Sequence, residues 1–320
     1  MKLEKIKTNS ILVVISLFAI SLFASCEKDD KDDNDDSSQP KCQISTLNIA
    51  WEEFCEGETE SGNEIISFSY DSNDRLSKWE WDDGEYLLFT YNSSGKLVKI
   101  EEHWDNDVDY LHFSWNGNKV TRQWYWGDEP GSSKRVIEFN NNDEIVRVDG
   151  YYKYVDEWVH SSYSIYTWQN SNLVKIEAYY SDDWKKSAEV EHKGKNRKGT
   201  FTKQRLREYE NVVELKQINT SNDFVLGYTK TFTHDNKHNP FSMHQALGLW
   251  ELGHFLFHSK NNVVSRFEVE NYEGEEYTWS ETFQYEYNAQ NYPSKLIIEE
   301  DEDEDCNWSQ TIEFNYKNCD

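Results

Sequence analysis

From residue 65 onward apolar and polar residues alternate in short runs, each broken by a cluster of Asn, Asp, Ser or Gly, and one such sentence returns five times. The copies are Phe68-Ser-Tyr70-Asp-Ser-Asn-Asp-Arg-Leu76, Phe89-Thr-Tyr91-Asn-Ser-Ser-Gly-Lys-Leu97, Phe113-Ser-Trp115-Asn-Gly-Asn-Lys-Val120, Ile137-Glu-Phe139-Asn-Asn-Asn-Asp-Glu-Ile145 and Tyr166-Thr-Trp168-Gln-Asn-Ser-Asn-Leu173. Their anchor aromatics stand 21, 24, 24 and 29 residues apart, the spacing of an array of like units. Aromatic and β-branched runs bounded by turn formers predict paired strands. Each copy is a β-hairpin.

Turn length supports the pairing. In three copies five residues separate anchor and aliphatic, and Asp74, Gly95 and Asp143 occupy the slot that a three-residue loop needs in the left-handed region. The other two are one residue shorter, with Gly117-Asn118 and Asn170-Ser171 suited to a two-residue loop. Either way Tyr91 faces Leu97 and Trp115 faces Val120. Carried outward, the pairing sets Phe68 against Lys78, Phe89 against Lys99, Phe113 against Arg122, Ile137 against Arg147 and Tyr166 against Lys175. The opposite face then carries Val98, Ile100, Val146, Val148, Val174 and Ile176. That aliphatic face is expected to be core, with the aromatic and cationic face partly exposed.

Beyond residue 187 the repeat decays. Asn211-Val-Val-Glu-Leu215, residues 262–269, 283–287 and 308–316 still read as strands, while Leu247, Leu249, Leu252 and Phe255 suggest a short helix or packed loop near 241–258. The expected fold is all-β: a large antiparallel meander of hairpins forming a curved or partly closed sheet. Its strands are joined in sequence at 71–75, 92–96, 116–119, 140–144 and 169–172. Few prolines and no mid-chain linker argue for one domain over 41–320.

The hairpin pattern resembles the YD-type repeats of Rhs-like proteins. It is more similar still to repeat-bearing lipoproteins of unknown function common in Bacteroidota. The second likeness rests also on Asp235-Asn-Lys237-His-Asn239-Pro240-Phe241 followed by Asn261-Asn262-Val263. The resemblance spans most of residues 65–317 and implies fold and location, with no activity attached.

The start of the chain agrees with that location. Lys2, Lys5 and Lys7 precede an apolar run, Ile11 to Ala24, too short to span a bilayer comfortably. Residues 1–25 therefore read as a signal peptide. Leu22-Phe-Ala-Ser-Cys26 resembles a bacterial lipobox, which implies lipidation of Cys26 and an outer-membrane anchor. Residues 26–40 then form an acidic, apolar-free tether that cannot bury surface. Acidic residues at that place resemble the surface-export signal of such lipoproteins, so the domain is expected to face the cell exterior.

Charge narrows the partners. The formal charge is −27; residues 1–25 hold three lysines and one glutamate, so the chain from Cys26 carries −29. Such a field repels nucleic acid and anionic surfaces. Only the stretch from Lys193 to Arg207 is locally basic. Cys42, Cys55, Cys306 and Cys319 remain after Cys26, an even set in an exported chain. Three connectivities are possible, and local pairing, Cys42 with Cys55 and Cys306 with Cys319, is expected first.

Chemistry is sparse. The chain lacks a phosphate loop, a nucleophile elbow and a zinc-protease motif, and nothing calls for a cofactor. His234, His238, His244, His254 and His258 cluster in sequence without a completing ligand set, and 299–305 lacks the spacing of a calcium loop. What stands out is aromatic content, with 13 Trp and 20 Tyr. Trp79, Trp81, Trp124 and Trp126, beside Lys99 and Arg122, are candidates for stacking on sugar rings or peptide side chains, against the plainer reading of cross-strand packing. Three functions remain: a surface module binding an extended ligand (a neutral glycan or a protein), an adhesion scaffold, and an uncharacterised hydrolase.

Overall fold

The computed structural model describes residues 42–319 apart from 56–57, 105–106, 155, 182–223, 251, 253, 273–274 and 304–305. Cys26, the acidic tether, the basic stretch 193–207 and the strand expected at 211–215 lie outside the described residues. Residues from Pro40 on form one compact unit.

Among the described residues there are sixteen strands. The first eight are β1 (Gln43–Cys55), β2 (Glu58–Tyr70), β3 (Leu76–Trp81), β4 (Tyr86–Tyr91), β5 (Leu97–Trp104), β6 (Asp107–Asn116), β7 (Lys119–Trp126) and β8 (Glu129–Phe139). Then come β9 (Ile145–Tyr154), β10 (Glu157–Gln169), β11 (Asn172–Ser181) and β12 (Phe224–His238). After an insert, β13 (Asn261–Tyr272), β14 (Glu275–Tyr287), β15 (Pro293–Asp303) and β16 (Cys306–Lys317) complete the sheet. Each strand pairs antiparallel with its sequence neighbours, and β1 also pairs with β16, from Gln43 opposite Lys317 to Cys55 opposite Cys306. The sheet is a closed barrel. This corrects the expected curved or partly closed meander: a twisted sheet of this length meets its own first strand, and closure removes both unpaired edges.

The hairpin turns lie where the repeat places them, with Asp74, Gly95 and Asp143 at φ 59°, 81° and 58° and Asn170 and Ser171 at 52° and 57°. Beyond the turns the register differs from the expected one. Tyr91 pairs with Leu97, but Thr90 pairs with Lys99, leaving Val98 as an extra residue. The same single-residue bulge falls at Ser77, Val146 and Val174. A bulge flips every later side chain to the other face. Phe68 therefore stands opposite Trp79, Phe89 opposite Ile100, Ile137 opposite Val148 and Tyr166 opposite Ile176. All eight are buried, and Lys78, Lys99, Arg147 and Lys175 turn outward. The aromatic and aliphatic residues share the core face, and the cations do not.

One hairpin lacks the bulge. Between β6 and β7 the ladder runs unbroken from Asn116 opposite Lys119 to Phe113 opposite Arg122. Arg122 alone of the five repeat cations faces inward, and it is buried.

The anchor aromatics have a second role. Tyr70 Oη donates to Ile44 O at 2.8 Å, Tyr91 Oη to Leu76 O at 2.8 Å, Trp115 Nε1 to Leu97 O at 2.8 Å and Trp168 Nε1 to Ile145 O at 2.6 Å. Each ring ties its hairpin to the preceding one. Tyr316 does the same to Pro293 O at 2.6 Å, which marks Tyr287 to Pro293 as a further unit with its own positive φ at Asn291.

The first and last strands are joined covalently. Cys42 bonds to Cys319, 277 residues away in sequence, so the expected Cys42–Cys55 and Cys306–Cys319 pairs are not formed. Cys55 is also disulfide-bonded and stands opposite Cys306 in the ladder. Local spacing misled because barrel closure brings the two ends of the chain together.

Candidate functional site

A barrel of sixteen strands is wider than its own side chains can fill. Here residues 239–260, in the place of a hairpin turn between β12 and β13, enter the lumen. They contain a 3-10 turn (Pro240–Met243), the helix α1 (Gln245–Trp250) and a second 3-10 turn (Phe255–Phe257). Phe241 packs on Phe314 of β16, Trp250 on Trp79 of β3, and His244 on Tyr70 of β2. Tyr166 of β10 donates to Leu252 O at 3.0 Å, and Trp250 Nε1 donates to Glu102 of β5 at 2.8 Å. Contacts to strands so far apart around the wall are possible only from inside. The insert and all sixteen strands share one apolar cluster. The stretch read as a short helix or packed loop is a plug.

The sequence motif that accompanies the repeat builds the neck of this plug. Asn239 donates through Nδ2 to Leu256 O at 2.7 Å and Ser259 O at 2.8 Å, and accepts from Phe241 N at 3.0 Å. Asp235 accepts from the backbone and side chain of Asn262 and from Tyr287 Oη. Asn261 donates to Lys237 O at 2.7 Å. The spaced Asp, Asn and Asn-Asn thus close the two ends of a long insert against each other.

Burial shapes the chemistry at the plug. His244 is pushed down to about 4 by desolvation, so it is neutral at pH 7. Tyr70 gives its one hydrogen to Ile44 O, so His244 Nε2, 3.3 Å from Tyr70 Oη, is the donor of that pair. Glu102 is raised by desolvation, partly offset by indole N–H bonds from Trp104 and Trp250 and by the charge of Arg122. The other four clustered histidines have local partners: His234 meets Ser259 Oγ at 2.9 Å, His258 meets Leu252 O at 3.2 Å, and His238 and His254 stack on Tyr292 and Phe257. No three potential metal ligands converge among the described residues.

Away from the plug the inner face changes character. Along β7, Arg122 is 7% exposed, Trp124 9% and Trp126 54%. Along β9, Tyr152 is 7% and Tyr154 39% exposed; along β14, Glu281 is 9% and Tyr277 49%. Within each strand these residues alternate on the inner face, so the gradient is the lumen opening to solvent at the rim opposite the plug. Below this mouth lie the ion pairs Lys230–Glu268 at 3.3 Å and Arg266–Glu281 at 2.6 Å. Tyr166, Tyr180 and Tyr228 line it with hydroxyls raised by burial. Gln310 is wholly buried between the inner-face residues Trp308 and Ile312, with no hydrogen-bond partner for either end of its amide among the described residues.

No family model matches the sequence. Nor does any curated protein match it. Among solved structures, a porin-like protein from Bacteroides uniformis is similar over 88% of this chain and 100% of its own, at 10% identity and TM-score 0.37. A porin-like protein from Bacteroides vulgatus is similar over 86% and 99%, at 8% identity and TM-score 0.44. The TcdB2-TccC3 complex is similar over 75% of this chain and 11% of its own, at 7% identity and TM-score 0.28. The barrel itself rests on its own strand ladder.

The candidate aromatics divide. Trp79 and Trp81 are 0% and 2% exposed and pack with Trp250, Phe68 and Trp104 around the plug, so they form no surface row. Trp124 and Trp126 stack on each other at the mouth, ring centres 5.9 Å apart, with Arg122 below them. Lys99 lies on the outer wall, bonded to Glu101 and over the ring of Tyr110. The residues that sequence reasoning missed are inner-face ones outside the repeat copies, Arg135, Tyr152, Tyr180, Tyr228 and Gln310. Only the register of the closed ladder shows that they face the lumen.

Proposed function

We propose that the protein is an outer-membrane lipoprotein held by a lipid on Cys26, and that its barrel stands in water and binds an extended ligand, a glycan or a protein segment, at the mouth of the lumen. The observation that carries this reading is the gradient along the inner face, from a sealed apolar half to an aromatic and charged mouth. Stacked Trp124 and Trp126 offer flat apolar area at the rim, and the cations and tyrosines of the inner face make the lumen behind them polar.

The outer wall supports a barrel in water. Lys78 pairs with Glu80 at 2.9 Å, Arg147 with Asp149 at 2.7 Å and Lys175 with Glu177 at 2.7 Å. Lys78 and Arg147 also cover the rings of Tyr86 and Tyr163 on the next strand. On β1, β14 and β16 the outward residues include Thr46, Asn48, Thr278, Ser280, Thr282, Thr311 and Glu313. A lipid-facing barrel needs an apolar band about 25 Å tall, and a midplane Lys or Arg there costs about 2–4 kcal/mol. Here the fully buried apolar side chains face the lumen, and the wall mixes ion pairs and hydroxyls with tyrosine rings and single exposed residues such as Ile65 and Phe267.

The test is an array of glycans and peptides probed with the full chain carrying Cys26→Ala, beside a Trp124→Ala, Trp126→Ala variant. Binding that falls at least tenfold in the variant supports the mouth as the site. Binding that is unchanged removes the site, and no binding at all leaves the adhesion scaffold as the better reading.

A further inference from the structure

The ladder sets Arg135 of β8 directly opposite Arg122 of β7. Both face inward: Arg122 because its hairpin has no bulge, and Arg135 because it alternates with the buried Ile137 and pairs across β9 with Gly150. Like charges directly opposed on one face of a sheet destabilise it unless each is answered. Arg122 interacts electrostatically with buried Glu102. The other inward cations are answered too, Lys230 by Glu268 and Arg266 by Glu281. Arg135 is not: it is exposed to solvent within the mouth and has no ion pair or hydrogen bond among the described residues.

Around it stand tyrosines. The charge of Arg135 acts on the hydroxyls of Tyr166, Tyr180 and Tyr228, all on the inner face. Gly150, its neighbour on β9, has no side chain to cover the guanidinium. A Cβ there would meet Ser162 Oγ at 2.4 Å, so a larger residue would displace that serine.

From this juxtaposition we infer that Arg135 recognises a single carboxylate, and that the ligand of the proposed mouth is a glycan ending in an acidic sugar of the uronate type. The inference rests on the mouth being a binding site at all. A guanidinium fork matches a planar carboxylate through two parallel N–H bonds. A phosphate, carrying close to two charges, would leave one unmatched by the one unanswered cation. The bulk charge of −27 is screened within about 8 Å at physiological salt. It therefore disfavours a polyanion along its length, while one terminal carboxylate held against Arg135 escapes it.

The experiment compares two disaccharides, glucuronyl-glucose and glucosyl-glucose, by calorimetry and tryptophan fluorescence with the full chain carrying Cys26→Ala. The acidic sugar should bind at least tenfold tighter. Arg135→Gln should remove the acidic sugar's advantage over the neutral one, with Arg135→Lys recovering part of the preference. Because Arg135 is exposed and stands opposite a like charge, neither variant should melt below the parent, and Arg135→Gln should melt at or slightly above it. Equal binding of the two sugars, or a preference that survives Arg135→Gln, overturns this inference and leaves the mouth standing. If neither disaccharide binds but a peptide does at Trp124 and Trp126, the acidic-sugar assignment is overturned while the mouth survives. Absence of all binding overturns both.

Discussion

Single residues here are read through the face they occupy. His244, at the root of the plug, loses water on folding, and its pKa falls from 6.5 to about 4. Between those values the unfolded chain binds a proton that the folded chain does not, so acid favours unfolding through this group. The stability that a neutral His244 contributes is present above pH 6.5 and declines as pH falls toward 4. A shift of this size corresponds to about 3 kcal/mol. Denaturant titrations at pH 7 and pH 4 should show that His244→Gln loses less stability over this interval than the parent, by roughly that amount. Parallel losses in the two proteins would contradict the assignment. Glu102 works in the opposite sense: its raised pKa makes the folded state the better proton binder, so rising pH weakens its contribution.

At the scale of elements, the hairpins were legible because each turn states its own requirement. Asp74, Gly95 and Asp143 are residues that tolerate positive φ, and five or four residues between anchor and aliphatic set the loop type. The bulges were not legible. Val98, Val146 and Val174 look like ordinary strand residues, and only pairing shows that the ladder skips them. That one omission exchanged the faces of the sheet and sent Lys99 outward and Trp79 inward. The motif Asp235 to Phe241 with Asn261 and Asn262 was visible as a likeness, but its purpose needed partners from elsewhere in the chain, such as Tyr287. Asn239 is the center of that neck. Asn239→Ala removes two donors to buried carbonyls, each costing about 1–3 kcal/mol when left unmet. The variant should melt measurably lower and be cut by protease within 240–258 sooner than the parent. A variant with unchanged melting and protection would mean that the plug is held elsewhere.

The molecule as a whole is a barrel packed from within. Its core is the lumen, filled by aromatic side chains and a plug at one end and lined by charge at the other, and its outer wall carries ion pairs and hydroxyls. Closure could not be read locally, because β1 and β16 meet across more than 250 residues and neither belongs to the five clear repeats. The Cys42–Cys319 bond lies where that meeting needs a staple, and closing so long a loop contributes on the order of 5 kcal/mol in the chain-entropy model. The most direct measurement is of solubility: the chain with Cys26→Ala, exported behind a cleavable signal peptide, is fractionated and sized in detergent-free buffer. The account predicts a soluble monomer-sized species with a β-rich circular dichroism spectrum and a cooperative melt. A protein that stays in the membrane fraction, or that keeps its fold only in detergent, would contradict it.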